Sequence, residues 1–288
     1  MNKIALGTAQ VGMSYGINNK RGKIPLSEVF EIFNKAIASG VNMLDTAYSY
    51  GDSEKIIGIF SNSSRKKLKV ISKAPKCEYG QLRGIFESSL QKLGIPRIYG
   101  YLLHDFSSYK NNPRIWDELE KLKSEKKTQK IGFSLYYPQE LDCILEKKLK
   151  VDMVQVPFSV FDQRFRPYFP ELKLKNIEIY VRSVFLQGLV FKNPSELKGY
   201  LKNISSRIKK LYALSERIKV PVFALCLNYA ILNNFVDKVV VGVDSLSNFN
   251  EIIQASNFIN QSRSVNVYLS GLKYDDEKIV VPVNWEDG

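Results

Sequence analysis

The sequence predicts an α/β chain folded as a (β/α)8 TIM barrel, one domain over residues 1–288, and three observations carry that expectation. Short β-rich apolar runs alternate with helical patterns along nearly the whole length, eight strand candidates can be counted, and no Pro/Gly/Ser-rich linker divides the chain. Alternation of this kind belongs to a parallel sheet covered by helices, and barrels of about 250 residues commonly form one unit.

In chain order the strand candidates are residues 3–8, 42–46, 69–73, 99–104, 130–134, 153–157, 178–183 and 238–242. Helical spacing marks residues 27–39, 80–93, 113–126, 138–148 and 245–256, the last opened by Ser245 as a cap. Residues 194–219 repeat Leu197, Leu201, Ile204, Ile208, Leu211 and Ile218 at close to helical spacing. An apolar stripe with a charged back suits an outer barrel helix, although a basic amphipathic helix also suits a membrane surface. Pro221 then starts a further helix over residues 222–232. An open doubly wound sheet would show G-x-G-x-x-G after its first strand, and here that strand ends in Gly7-Thr8-Ala9-Gln10 instead.

Lysine and arginine number 42 against 29 aspartates and glutamates, a formal net charge of +13, so the surrounding field favours anionic partners. The cations are scattered, with short clusters such as Arg65-Lys66-Lys67 and Lys147-Lys148, and no nucleic-acid module signature occurs. Solvated helix faces are therefore expected, not a nucleic-acid surface. Cys77, Cys143 and Cys226 are widely spaced without a C-x-x-C pair, which argues against a disulfide framework and a zinc site. A reducing cytoplasm is expected, with no metal. Residues 1–10 lack a long apolar core and no run of about 18 apolar residues occurs, so neither secretion nor a membrane span is expected.

Chemistry in such barrels sits at the C-terminal strand ends. There the second strand delivers Asp45, with Tyr50 in the loop beyond it, the third Lys73, and the fourth His104, the only histidine. Singly, Asp45 could be a helix cap, Lys73 a snorkelling strand-end lysine and His104 a core histidine. Together, an acid, a lysine, a histidine and a tyrosine on one rim have a specific use. A cationic Lys73 favours the phenolate of Tyr50 and eases proton release, while Asp45 orients the ammonium. Neutral His104 can donate a hydrogen bond to a carbonyl oxygen, and Tyr50 can protonate it as general acid.

The segment Asp45-Thr46-Ala47-Tyr48-Ser49-Tyr50-Gly51, followed by Ser53-Glu54 and Gly58, resembles the aldo/keto reductase pattern D-T-A-x-x-Y-G-x-x-E. Lys73 and His104 fall where that family's remaining catalytic residues fall, Leu6-Gly7-Thr8-Ala9 also matches, and similarity extends from about Ile4 to Ser256. The resemblance implies an NAD(P)H-dependent carbonyl reductase with Asp45, Tyr50, Lys73 and His104 as its tetrad. It further implies cofactor contacts from Gly7 and Thr8, and from Ser134 and Gln155 to the nicotinamide carboxamide, with Leu135 standing where relatives have asparagine. Arg182, beside Ser183, takes the place of an aromatic ring against the nicotinamide, where a planar guanidinium can stack and its charge favours the reduced cofactor. Leu186, Gln187, Gly188, Gly242 and Val243 fall near the pyrophosphate.

Relatives that grip a 2′-phosphate use Lys or Arg in residues 242–248, whereas this chain has Asp244, Ser245 and Asn248, with Glu251 toward the adenine. The family implies NADPH, and Asp244 opens the way to NADH through a ribose hydroxyl. Tyr15, Phe106 and Phe158 are the candidates for the substrate side, with Tyr109, Phe161 and the tail over residues 259–288 nearby. Relatives with the Arg-Ser-Val-Phe-Leu-Gln-Gly type of segment resemble enzymes of surface-sugar pathways, so a small carbonyl compound such as an anionic keto-sugar or nucleotide-sugar is the expected substrate. Two rival functions remain: a Schiff-base aldolase or lyase using Lys73, and a nicotinamide-binding sensor with little turnover. Oligomeric state leaves no mark in the sequence.

Overall fold

Strand β1 (Ile4–Gly7) pairs in parallel with β2 (Met43–Asp45) on one side and β8 (Lys238–Gly242) on the other. The second pairing closes the sheet. Between them run β3 (Lys69–Ala74), β4 (Ile98–Leu103), β5 (Thr128–Ser134), β6 (Met153–Pro157) and β7 (Glu178–Arg182), in chain order around a closed barrel. The computed structural model describes residues 3–17, 19–64, 68–274 and 276–285. All eight expected strands are present, with ends within two residues of those read from the sequence.

Helices cover the outside: α1 (Leu26–Ala38), α2 (Ser53–Ser64), α3 (Leu82–Leu93), α4 (Ile115–Ser124), α5 (Pro138–Glu146), α6 (Phe169–Leu174), α7 (Ser205–Ile218), α8 (Val222–Ile231) and α9 (Leu246–Gln254). Sequence spacing had not singled out α2 or α6. The six residues of α6 are too few to display a helical period, and α2 ends in a Ser/Asn-rich stretch of low propensity. The single helix expected over residues 194–219 is shorter in the structure. Lys198 is extended and Gly199 is left-handed at φ 52°, so a 3-10 turn over Gly199–Ile204 precedes α7. Ile204, Ile208, Leu211 and Leu214 are all buried in the main core, which makes α7 an outer barrel helix.

Two apolar layers result from the period of two along each strand. Ile131 and Phe133, for example, face the helices, in the larger core. Ala5, Met43, Ile71, Leu102, Met153, Tyr180 and Val240 form a separate buried cluster, the barrel interior. On β5 the interior position is Gly132, whose missing Cβ would stand 1.8 Å from the Met153 carbonyl oxygen on the paired strand. Gly132→Ala is accordingly expected to force β5 and β6 apart and destabilise the chain by about 3 kcal/mol, read from the urea unfolding midpoint.

Beyond α9 the chain returns across the rim. Tyr274 N–H donates to Phe161 O at 2.8 Å, and Arg164 pairs with Glu277 at 2.9 Å. The three cysteines are free thiols. No helix among the described residues is long and apolar enough to cross a membrane, and no cluster of metal-ligating groups occurs among them. Of the basic clusters, Lys147-Lys148 closes α5, while Arg65-Lys66-Lys67 lies outside the described residues.

Candidate active site

Two residues beyond the interior cluster, each strand presents another inward position at the C-terminal mouth. Gly7, Asp45, Lys73, His104, Gln155, Arg182 and Gly242 follow the interior residues at that interval, and Ser134 follows Gly132. Strand register brings them to one mouth: Gly7 stands opposite both Asp45 and Gly242 and Ser134 opposite Gln155, while Lys73, His104 and Arg182 lie two residues beyond the positions paired with Asp45, Lys73 and Gln155.

Lys73 is fully buried, and its Nζ donates to Asp45 Oδ2 at 2.7 Å and to Thr46 O at 2.9 Å. Burial pulls the lysine below its ordinary range, opposed by the Asp45 carboxylate. Gln155 Nε2 donates to the other carboxylate oxygen, Asp45 Oδ1, at 2.7 Å. Both oxygens of Asp45 are thus engaged, a bond to Gln155 that the sequence had not suggested. The Lys73 ammonium lies 5.3 Å from the Tyr50 ring centre, and the Tyr50 and His104 rings meet edge to face at 5.7 Å.

Burial raises the Tyr50 phenol above its usual range, as does the charge of Asp45, with Arg182 opposing them. The phenol therefore keeps its proton, the form a general acid needs. Burial pushes His104 down to about 3, helped by the charges of Lys73 and Arg182. Its imidazole is neutral near neutrality and can donate one hydrogen bond to an oxygen. Its Nδ1 lies 3.4 Å from Ser49 Oγ. Such a set suits proton delivery to a polarised carbonyl oxygen. With two N–H groups committed and its side chain sealed from solvent, the Lys73 amine is badly placed to form a Schiff base.

A cleft of about 440 Å³ opens over this group. Of the expected residues, Gly7, Thr8, Asp45, Tyr50, His104 and Gln155 line it, as do Arg182, Ser183, Gln187 and Gly188. Gly242, Asp244, Asn248 and Glu251 line its far end, and Tyr15 reaches across it to accept a hydrogen bond from Gln187 Nε2 at 3.0 Å. Lys73 stands behind the wall, beneath Tyr50. Ser134, Leu186, Val243 and Ser245 also lie off the wall. Ser134 Oγ is buried without a hydrogen-bond partner among the described residues, while Ser245 Oγ caps α9 by accepting from Asn248 N at 3.1 Å.

Two substrate candidates are corrected. Phe106 packs against Tyr109 and Phe133, and Phe158 against Phe169 and Tyr229, all in the core and away from the cleft. Tyr109 and Phe161 are likewise buried. The wall also includes residues that the sequence had not marked, among them Gln10, Tyr136 and Phe223, together with Pro282 and Val283 of the tail that the sequence had set near the substrate side. Tyr136 was accessible to reasoning, since it continues the inward alternation two residues past Ser134. The last two come from the returning tail.

The aldo/keto reductase family model matches residues 3–270, the whole of the barrel. The chain belongs to the aldo/keto reductase family. It is 24% identical over 283 residues to the uncharacterized oxidoreductase YqkF of Bacillus subtilis, covering 89% of this chain and 92% of that one. It is 23% identical over 275 residues to L-galactose dehydrogenase of Arabidopsis thaliana, covering 88% and 84% respectively. Among solved structures the fold is similar to the holo form of the aldo-keto reductase AKR11C1 from Bacillus halodurans, with a TM-score of 0.77 at 19% identity, covering 96% of this chain and 94% of that one. As a member of the family this chain is an NAD(P)H-dependent oxidoreductase that acts on carbonyl compounds.

Proposed function

We propose that this reductase converts the aldehyde or ketone of a sugar-like substrate to an alcohol, with Tyr50 as proton donor and Asp45, Lys73 and His104 completing the tetrad. The observation that carries this reading is the Asp45–Lys73 pair at 2.7 Å beneath a phenol and an imidazole that share one cleft. A bound nicotinamide cofactor supplies the hydride. His104 orients the carbonyl oxygen and stabilises negative charge growing on it. Tyr50 then gives up its proton to an oxygen that is a stronger base than its own phenolate, while Lys73 stabilises the phenolate left behind.

The wall suits the cofactor. The remaining polar atoms of Gln155 and, just behind the wall, the orphaned Ser134 hydroxyl offer partners to a carboxamide, and the open face of Arg182 to a flat ring. Gly7 and Gly242 face each other without side chains and both line the cleft, which leaves their backbone open to a close-lying pyrophosphate. Ser183, Gln187 and Gly188 flank the same stretch.

At the far end, Asp244 and Glu251 bring negative charge to the wall. Arg21 donates to Asp244 O at 3.2 Å but is held by both oxygens of Glu28, whose Oε1 also accepts from Leu246 N–H at the start of α9. Three carboxylates against one committed guanidinium disfavour a 2′-phosphate and support NADH over the NADPH that the family resemblance implies. In parallel fluorescence titrations NADH is expected to bind at least about tenfold more tightly; tighter NADPH binding would reverse the assignment. Adding 4-nitrobenzaldehyde to the cofactor complex then tests the reaction. Tight binding with no oxidation of the cofactor across a panel of aldehydes and keto-sugars would leave a sensor.

The sugar-like substrate draws support from the L-galactose dehydrogenase relative, and the position of Pro282 and Val283 on the cleft wall supports a contribution from the tail.

A further inference from the structure

Resting on the reductase reading, we propose that Arg182 recognises an anionic group on the substrate, so that the carbonyl compound carries a carboxylate or phosphate. Arg182 stands two residues beyond the position paired with Gln155, on the wall shared by Tyr50 and His104. One face of its guanidinium covers the Tyr136 ring, 4.2 Å from the ring centre. Its NH2 donates to Leu135 O at 3.0 Å and its NH1 to Ser183 Oγ at 3.3 Å, both neutral acceptors, leaving the rest of the fork for a ligand.

Arg182 makes no ion pair among the described residues, because each acid in its neighbourhood is engaged elsewhere. Asp45 is taken by Lys73 and Gln155. Asp162 is held by Arg164 at 2.9 and 2.8 Å. Glu140 accepts the Tyr136 and Tyr137 backbone N–H groups at 2.7 and 3.0 Å. A half-buried cation lacking a counter-ion is costly to hold, and an arriving anion offsets that cost. Its charge also reaches His104 and Lys73, where it disfavours a further proton. The open edge of a guanidinium matches carboxylate and phosphate oxygens, and the net charge of +13 draws such molecules in. Stacking on a nicotinamide would use the face of Arg182 and not its edge, so the two roles respond to different substrates.

The test compares 4-carboxybenzaldehyde with its neutral isostere 4-nitrobenzaldehyde in the wild type, Arg182→Met and Arg182→Lys. The ratio of kcat/KM values, carboxylate over nitro, is expected to fall roughly ten- to a hundredfold in Arg182→Met, mainly through KM, and to recover in part in Arg182→Lys. A ratio unchanged while both substrates slow together overturns the proposal and leaves Arg182 to the cofactor. Calorimetry with 4-(hydroxymethyl)benzoate separates this result from failure of the reductase reading. If the wild type reduces neither aldehyde, binding of that anion to wild type but not to Arg182→Met sustains the anion site, and absence of binding sinks it.

Discussion

Replacing Tyr50 by phenylalanine is expected to slow carbonyl reduction by about 10²- to 10⁴-fold, because the phenyl ring keeps the packing against His104 but has no proton to give. Single-turnover oxidation of bound cofactor is the measurement, since it reports the chemical step apart from product release. The physical basis is the state of the phenol. Burial and the Asp45 carboxylate hold the proton on Tyr50, and neutral His104 cannot replace it as donor, because giving up an imidazole N–H would leave an anion in the cleft. Turnover by Tyr50→Phe within threefold of wild type would remove Tyr50 from the role of acid.

The second large effect belongs to Lys73. Lys73→Met removes the ammonium and leaves the Asp45 carboxylate buried with Gln155 as its remaining side-chain partner, a change expected to cost about 3–5 kcal/mol of stability. Pairing it with Asp45→Asn removes the stranded charge as well. The double variant is expected to regain much of the lost stability, as read from urea midpoints, while remaining without reductase activity. A Lys73→Met protein as stable as wild type would show that the ion pair does not hold this side of the barrel. Borohydride treatment in the presence of substrate should trap no adduct on Lys73, because the amine sits behind the cleft wall.

Much of this was legible in the sequence because barrel strands carry two messages at once, one for each face. The runs around Ile71 and Lys73, or Leu102 and His104, show the apolar filling of the cylinder followed by a polar group at the same parity, and that pattern requires no distant partner. Phe158 could have been assigned to the core on the same ground, since it lies three residues past the inward Gln155 and so faces away from the cleft. Phe106 is different: the chain leaves β4 and turns into a short helix over Ser107–Asn111, so strand parity no longer applies.

Contacts made across the mouth were beyond local pattern. The Gln187–Tyr15 bond joins residues 172 apart, the Arg21–Asp244 contact spans 223, and Pro282 reaches the wall only because the tail folds back. Nothing in the neighbourhood of Arg21 or Glu28 announces that they will meet the start of α9. The bond between Gln155 and Asp45 was hidden for another reason, because either amide atom of a glutamine can serve a carboxylate or a carboxamide.

The two-residue interval between the interior layer and the mouth also sets how the gene can change. Deleting one residue within β3 would swing the Lys73 ammonium out among the oily side chains under the helices and bring a neighbour such as Ser72 or Ala74 to the centre. Catalysis and folding would then fail in a single event. Insertions and deletions should accordingly be confined to the connecting loops, where new pocket shapes can be tried while the cylinder keeps its phase.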